Sequence, residues 1–145
     1  LGHEAEQVRA ALSGKKVEFV ENQDYAAGLS TSLRCGIAAI SQEVQCALVC
    51  LGDMPRITPM EIDALLYDFS PAEGRAICVP THGGKRGNPV LIGRRYFAEI
   101  QDTKGDVGAR HLIGAYPAFV HEVEMKGDAI LLDIDTPEAL ARLTE

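Results

Sequence analysis

Cys46-Ala47-Leu48-Val49-Cys50-Leu51-Gly52-Asp53-Met54-Pro55 is the stretch on which the fold turns. Its first six residues are continuously apolar and stop at a glycine. That pattern predicts a short strand buried on both faces, as in a parallel sheet. A helix signal follows closely: Thr58 can cap, Pro59 suits the first turn and Glu61 completes a capping box. Ile62, Leu65, Leu66 and Phe69 then supply an apolar stripe. Strand, turn and capped helix in succession is the unit of an α/β domain.

The same alternation extends in both directions. Residues 4–13 place Ala5, Val8 and Leu12 on one helical face, and residues 17–20 form a strand candidate. Residues 30–40 set Leu33, Ile37 and Ile40 at helical spacing, with Ser30 available as N-cap. Downstream, residues 76–79 and 89–92 read as strands, and 94–100 and 107–114 as short helices. Residues 119–125 alternate in strand fashion, 129–133 are apolar, and Thr136-Pro137 opens a last helix anchored by Leu140 and Leu143. No repeat, low-complexity segment or linker interrupts the pattern, so one domain over 1–145 is expected.

Composition narrows the function classes. A length of 145 residues suits a single core, and 46% hydrophobic with 24% charged residues is ordinary for a globular chain. No apolar run approaches the roughly 20 residues that span a bilayer. Residues 1–10 include His3, Glu4, Glu6 and Arg9, unlike a secretory signal. The opening Leu1, in place of Met, is expected to reflect a cut. A net charge of -7 disfavours a general nucleic-acid binder but leaves a nucleotide substrate open, since a local cation offsets phosphate charge. Cys35, Cys46, Cys50 and Cys78 form no C-x-x-C pair and are expected as buried small hydrophobes in a reducing compartment, the cytoplasm.

Four segments carry candidate chemistry. Asp53 directly follows a buried strand, at the carboxyl edge where open α/β sheets bind ligands, and offers Mg²⁺ a hard oxygen. Gly52 lets the backbone turn and a ligand approach. Leu132-Asp133-Ile134-Asp135-Thr136-Pro137 brings two carboxylates after another expected strand, whose alternation puts Asp133 and Asp135 on one side. Either is open as a second metal ligand, and a plain helix start accounts for the pattern equally well. Thr81-His82-Gly83-Gly84-Lys85-Arg86-Gly87-Asn88-Pro89 is a glycine-rich, cationic loop suited to an anion, yet not a Walker P-loop. Its basic pair also fits solvated hairpin charges. Asn22 to Leu33 contains a glycine- and hydroxyl-rich turn opening a helix, whose first N–H groups can receive polar ligand atoms. Asp106 can cap a helix and Arg110 can reach phosphate or pair with an acid, while His3, His111 and His121 are expected in surface or hydrogen-bonding roles.

In this order, Asn22-x-x-Tyr25-x-x-Gly28-Leu29-x-x-Ser32, Gly52-Asp53-Met54-Pro55, Gly87-Asn88-Pro89-Val90, Gly105-Asp106-x-Gly108-Ala109-Arg110 and Asp133-Ile134-Asp135-Thr136-Pro137 resemble the MobA-like nucleotidyltransferases. The likeness is nearest to molybdenum cofactor cytidylyltransferases. It implies a Rossmann-like, GT-A-type three-layer α/β/α domain that moves a nucleotidyl group, CMP from CTP by closest likeness, to the phosphate of molybdopterin with release of pyrophosphate. It further implies Asp53 and Asp135 as catalytic, Mg²⁺-binding residues, with Asp133 as the alternative to Asp135. Gly28, Leu29, Ser32 and Gly52 would meet the nucleotide, and His82, Arg86, Gly87 and Asn88 the acceptor. A molybdoenzyme or its chaperone is an implied partner; nucleic acid and membrane are not.

One departure stands out. The family's opening strand, its glycine-rich L-A-A-G-x-S-x-R-M-G loop with a following lysine, and its first helix have no counterpart here. The chain is therefore expected to be an N-terminally truncated domain, inactive alone, whose exposed sheet edge favours self-association. A sugar- or polyol-phosphate nucleotidyltransferase and a non-catalytic nucleotide-binding accessory module are the competing readings.

Overall fold

The computed structural model describes residues 1–103 and 108–141. In chain order its helices are α1 (Ala5–Ala11), α2 (Leu29–Ala39), α3 (Pro59–Asp68), α4 (Phe97–Asp102), α5 (Arg110–Ala115) and α6 (Pro137–Ala141). Its strands are β1 (Cys46–Val49), β2 (Ile77–His82), β3 (Lys85–Arg86), β4 (Val90–Gly93) and β5 (Val120–Glu124). Two compact units result: Leu1–Gln45 with Arg94–Ala115, and Cys46–Gly93 with Tyr116–Glu145.

The second unit holds the sheet. Hairpin geometry pairs β2 with β3 through Thr81↔Arg86 and His82↔Lys85, while Ile77 and Cys78 of β2 pair antiparallel with Ile92 and Leu91 of β4. β4 continues antiparallel onto β1, from Cys46↔Gly93 to Val49↔Val90. On its other side β2 runs parallel to β5, from Ile77↔Val120 to Thr81↔Glu124. With neighbours on both sides, β2 is buried from Ile77 to Thr81. Leu65 of α3 packs with Cys78, Leu91, Val123, Met125 and Ile130 to make the core. Burying a leucine or isoleucine side chain contributes about 1.5–3 kcal/mol against leaving it in water, so this cluster accounts for the unit's cohesion.

Sequence and structure differ here in identifiable ways. β1 was expected in a parallel sheet and buried on both faces; it is half-buried and pairs antiparallel with β4. An apolar run reports burial tendency and carries no information on strand direction. The segment around Asp133 and Asp135 is not a ladder strand: a 3-10 turn spans Ala129–Leu131, and residues 132–135 run on without sheet pairing. α3 forms with its capping box intact, Met60 N donating to Thr58 Oγ1 and Thr58 N to Glu61 Oε2 at 2.9 Å. Leu65 is its buried residue, whereas Leu66 turns out to be 47% exposed. Leu66 stands one position past Leu65, about 100° round the helix, and so leaves the buried line. Thr136 caps α6, accepting from Ala139 N at 3.1 Å, while Leu140 is exposed and Leu143 lies outside the described residues.

In the first unit α2 and α4 are tied by Arg34 Nη1 donating to Thr103 O at 3.1 Å and by Gln101 Nε2 donating to Arg34 O at 3.0 Å. Ile37, Phe97, Ile100 and Leu112 are among its buried apolar side chains. Arg94 staples the segment after α2, its guanidinium donating to the carbonyls of Val44 and Ser41 and its N–H to Gln45 O. The expected strand at 17–20 is absent. Its one strand-like neighbour is Leu1, whose ammonium donates to Val20 O at 2.5 Å and whose carbonyl accepts from Asn22 N at 2.7 Å. A single residue's pair of bonds makes no ladder. The cap of α2 is Gly28, at φ 111°, with Ser30 buried inside the first turn.

Candidate active site

The first group of site residues sits where α2 begins. Gly28 adopts a positive φ that side-chain-bearing residues avoid, so glycine is required at this entry to the helix. Leu29 is 50% exposed and Ser32 is exposed. Asn22, 8% exposed, organises the turn: its Nδ2 donates to Thr31 Oγ1 at 2.8 Å and Ser32 Oγ at 2.9 Å, and its Oδ1 accepts from Asp24 N at 3.0 Å. Thr31 Oγ1 also reaches the carbonyls of Gly28 and Asp24. The sequence motif contained Asn22 without revealing this role, because two of its three partners, Thr31 and Ser32, stand nine and ten residues away.

The second group belongs to the sheet unit. β1 ends at Val49, and exposed Asp53 follows in the turn beyond it. Asp53 O accepts from Ile134 N at 2.9 Å, which brings the turn after β1 together with the Asp133-Ile134-Asp135 segment. Asp133 and Asp135 are both exposed. Gly52 was expected to be needed for a turn, but it has no positive φ, and a side chain there would meet only open space. Room beside Asp53 is what this glycine supplies. Cys50, expected to be buried, is exposed, and all four cysteines are free. Burial pushes the Cys46 and Cys78 thiols up, so neither presents a thiolate at neutral pH.

The β2–β3 hairpin carries the third group, and β5 fixes its geometry. Thr81 Oγ1 donates to Glu124 Oε2 at 2.6 Å and Gly83 N to Glu124 Oε1 at 3.0 Å. Those two donors hold the Glu124 carboxyl below its ordinary range, Thr81 contributing most. Arg86 Nε donates to Glu122 Oε1 at 2.6 Å, so its charge is partly committed within the sheet. His82 Nδ1 lies 2.9 Å from Met125 O. A carbonyl only accepts, so Nδ1 bears a proton and donates it to Met125 O. Gly87 packs against the Ala129–Leu131 turn, where an added Cβ would stand 2.7 Å from Ile130 Cδ1 and nearer still to Ile130 O. Asn88 N donates to that same carbonyl at 3.0 Å. Alternation along β5 was visible in the sequence; the pairing of Glu122 and Glu124 with hairpin donors was not, since it depends on the parallel register.

Other expectations resolve simply. His111 bridges Thr103 Oγ1 and Gly108 O, and His121 Nε2 lies 3.4 Å from Asp68 Oδ2, both hydrogen-bonding roles. His3 stacks at a tilt on Tyr25. Arg110 is exposed at the start of α5, and Asp106 falls outside the described residues. Among the described residues no three His, Cys, Asp or Glu side chains converge as a metal cluster. The carboxylates that could serve an ion beside β1, Asp53 with Asp133 or Asp135, are exposed and all oxygen donors. Such a set fits Mg²⁺ or Mn²⁺, which take a few carboxylates and fill the rest of the shell from water and phosphate. No helix of the described residues is long and apolar enough to cross a membrane.

Against known proteins, residues 1–121 match the family model described as the MobA-like NTP transferase domain. The chain is 32% identical over 124 residues to the molybdenum cofactor cytidylyltransferase of Escherichia coli (strain K12), covering 84% of this chain and 59% of that protein. It therefore spans less than two thirds of that relative. It is 26% identical over 148 aligned positions to the Nicotine blue oxidoreductase of Paenarthrobacter nicotinovorans, covering 99% of this chain and 72% of that one. Among solved structures, Rv0371c from Mycobacterium tuberculosis H37Rv superposes with a TM-score of 0.77 at 30% identity, over 99% of this chain and 72% of that chain. Its complex with manganese gives 0.76 at 31% identity, over 99% and 74%.

Proposed function

We propose that this chain, which belongs to the MobA-like NTP transferase family, serves a Mg²⁺-dependent enzyme that moves CMP from CTP to the terminal phosphate of molybdopterin. The observation that carries the reading is the hydrogen bond from Ile134 N to Asp53 O. Two acidic segments nearly eighty residues apart in sequence converge through it on the end of β1, where an α/β sheet offers its ligand site. The manganese complex of the Mycobacterium tuberculosis relative supports a divalent ion, and the name of the Escherichia coli relative supports the cytidylyl and molybdopterin substrates.

In this reading Asp53 and Asp135 hold the ion through their carboxylates, and the ion neutralises phosphate charge as the nucleotidyl group moves. The remaining work is positioning. Asn22 occupies one lone pair of Ser32 Oγ, which leaves the Ser32 hydroxyl to donate to an acceptor atom of the nucleotide. Open space at Gly52 admits the phosphates beside Asp53. On the acceptor side the His82 ring is held in place through Nδ1 by Met125 O. Arg86, paired through Nε with Glu122, has its other guanidinium N–H groups to offer the acceptor phosphate, while the Gly87 and Asn88 N–H groups are engaged by Pro80 O and Ile130 O.

The test is pyrophosphate release by the full-length protein with each NTP and molybdopterin. Asp53→Asn is expected to lower turnover by at least about a hundredfold, the scale of losing an electrostatic stabiliser of the transition state. Undiminished turnover in that variant would remove Asp53 from the metal site. Because one relative is named as an oxidoreductase, the same preparation is assayed for nicotinamide- or flavin-linked dye reduction. Activity there without pyrophosphate release overturns the transferase reading.

A further inference from the structure

We propose that Gly87 is a positioning residue for the metal site, acting on Asp135 through the segment from Ile130 to Ile134. This rests on the reading of Asp53 and Asp135 as metal ligands and adds a residue that touches neither.

The segment is fastened at both ends by backbone hydrogen bonds. At one end Ile130 O accepts from Asn88 N at 3.0 Å; at the other Ile134 N donates to Asp53 O at 2.9 Å. Three residues lie between the two fastenings, so a shift at one is passed to the other along a short span of chain. Ile130 is 1% exposed and belongs to the core with Leu65, Cys78 and Leu91, which leaves it no freedom to yield toward solvent. Gly87 closes against this end. A Cβ there would overlap Ile130 O and come within 2.7 Å of Ile130 Cδ1 and 2.8 Å of Ile130 C. Gly87 has no positive φ, so its glycine identity answers to this contact and not to a backbone requirement. Its own N–H is held by Pro80 O at 2.9 Å, which fixes it to β2 on the far side. With β2 immobile, any added side chain displaces Ile130, and the displacement runs toward Ile134, Asp135 and the Asp53 carbonyl.

The geometry thus couples the acceptor-side strand to the ion. Coupling of this kind is reciprocal: metal binding that fixes Asp53 and Asp135 also tightens the Asn88–Ile130 bond.

The experiment measures Mn²⁺ affinity by electron paramagnetic resonance on the full-length protein, without nucleotide or acceptor. Gly87→Ala is expected to weaken Mn²⁺ by about tenfold, the scale of losing an outer-shell support. Ile100→Ala, which removes a fully buried side chain from the other unit and touches neither fastening, serves as the control for stability alone. At a temperature where circular dichroism shows both variants folded, its Mn²⁺ affinity is expected to match wild type. Wild-type affinity in Gly87→Ala, or equal weakening in both variants, overturns the proposal and leaves the metal site standing. Wild-type binding that survives Asp53→Asn overturns the metal reading itself, and this proposal with it. Should Gly87→Ala fail to fold, amide hydrogen exchange in the wild type decides. Saturating Mg²⁺ is expected to slow exchange at the Asn88 and Ile134 amides, and unchanged exchange at Asn88 overturns the coupling.

Discussion

Two side chains show how much one buried group can contribute. Asn22 spends its whole amide on the turn at the start of α2, with Thr31, Ser32 and Asp24 as partners. Asn22→Ala leaves those groups short of a partner at a buried site, and a loss of about 1–3 kcal/mol is expected in urea denaturation. A loss below about 0.5 kcal/mol, the level of ordinary surface substitutions, would show that the turn holds without it. Cys78 is fully buried on β2, and burial, with Asp68 adding to it, pushes its thiol up to about 11. An unfolded thiol ionises near pH 8.5, so between about 8.5 and 11 the unfolded chain sheds a proton that the folded chain keeps. Stability therefore falls as pH rises through that window, by up to about 3 kcal/mol, and is untouched by this group below it. Urea midpoints compared between wild type and Cys78→Ala should converge as pH rises from 8 to above 10. A constant difference would count against the shift.

At the scale of elements, what could be read from the chain was what depends on neighbours three or four residues away. Thr58, Pro59 and Glu61 foretold the start of α3, and the capping box is present. Thr58→Ala is expected to cost about 1 kcal/mol, measured by thermal or chemical unfolding. Glu61 is held below its ordinary range by the Thr58 hydroxyl, so the box contributes above the usual carboxylate pKa and is lost as pH falls through the lowered one. Elements whose identity depends on distant partners were less legible. Residues 17–20 have strand-like composition but find no partner strand among the described residues, and the two acids at 133 and 135 lie on irregular chain fastened by a bond to Asp53. The same division applies to the candidate site. Asp53, Asp135 and Gly28 could be named as candidates by type and order, whereas Asn22, Glu122, Glu124 and Ile130 draw attention only through contacts that the fold creates.

For the molecule as a whole, β1 closes the sheet on one side and β5 on the other among the described strands. An unshielded strand edge is a template for pairing with another chain, so concentration-dependent association is expected in analytical ultracentrifugation. A single monomeric species at all concentrations would count against it. The alternating pattern was enough to indicate an α/β fold, yet the mixed strand directions rest on pairings between segments far apart in sequence. The pairing of β2 with β5 illustrates this, and it has a consequence for how the protein comes into being. Ile77 must find Val120 across β3, β4 and the Arg94–Ala115 excursion that belongs to the other unit. During synthesis the β2–β3–β4 meander can form while β5 is still unmade. Closing so long a loop costs entropy before it is rewarded, though each doubling of length adds only about 0.6 kcal/mol. Until then one side of β2 waits open, and the nascent chain is at its most vulnerable to wrong partners during that interval.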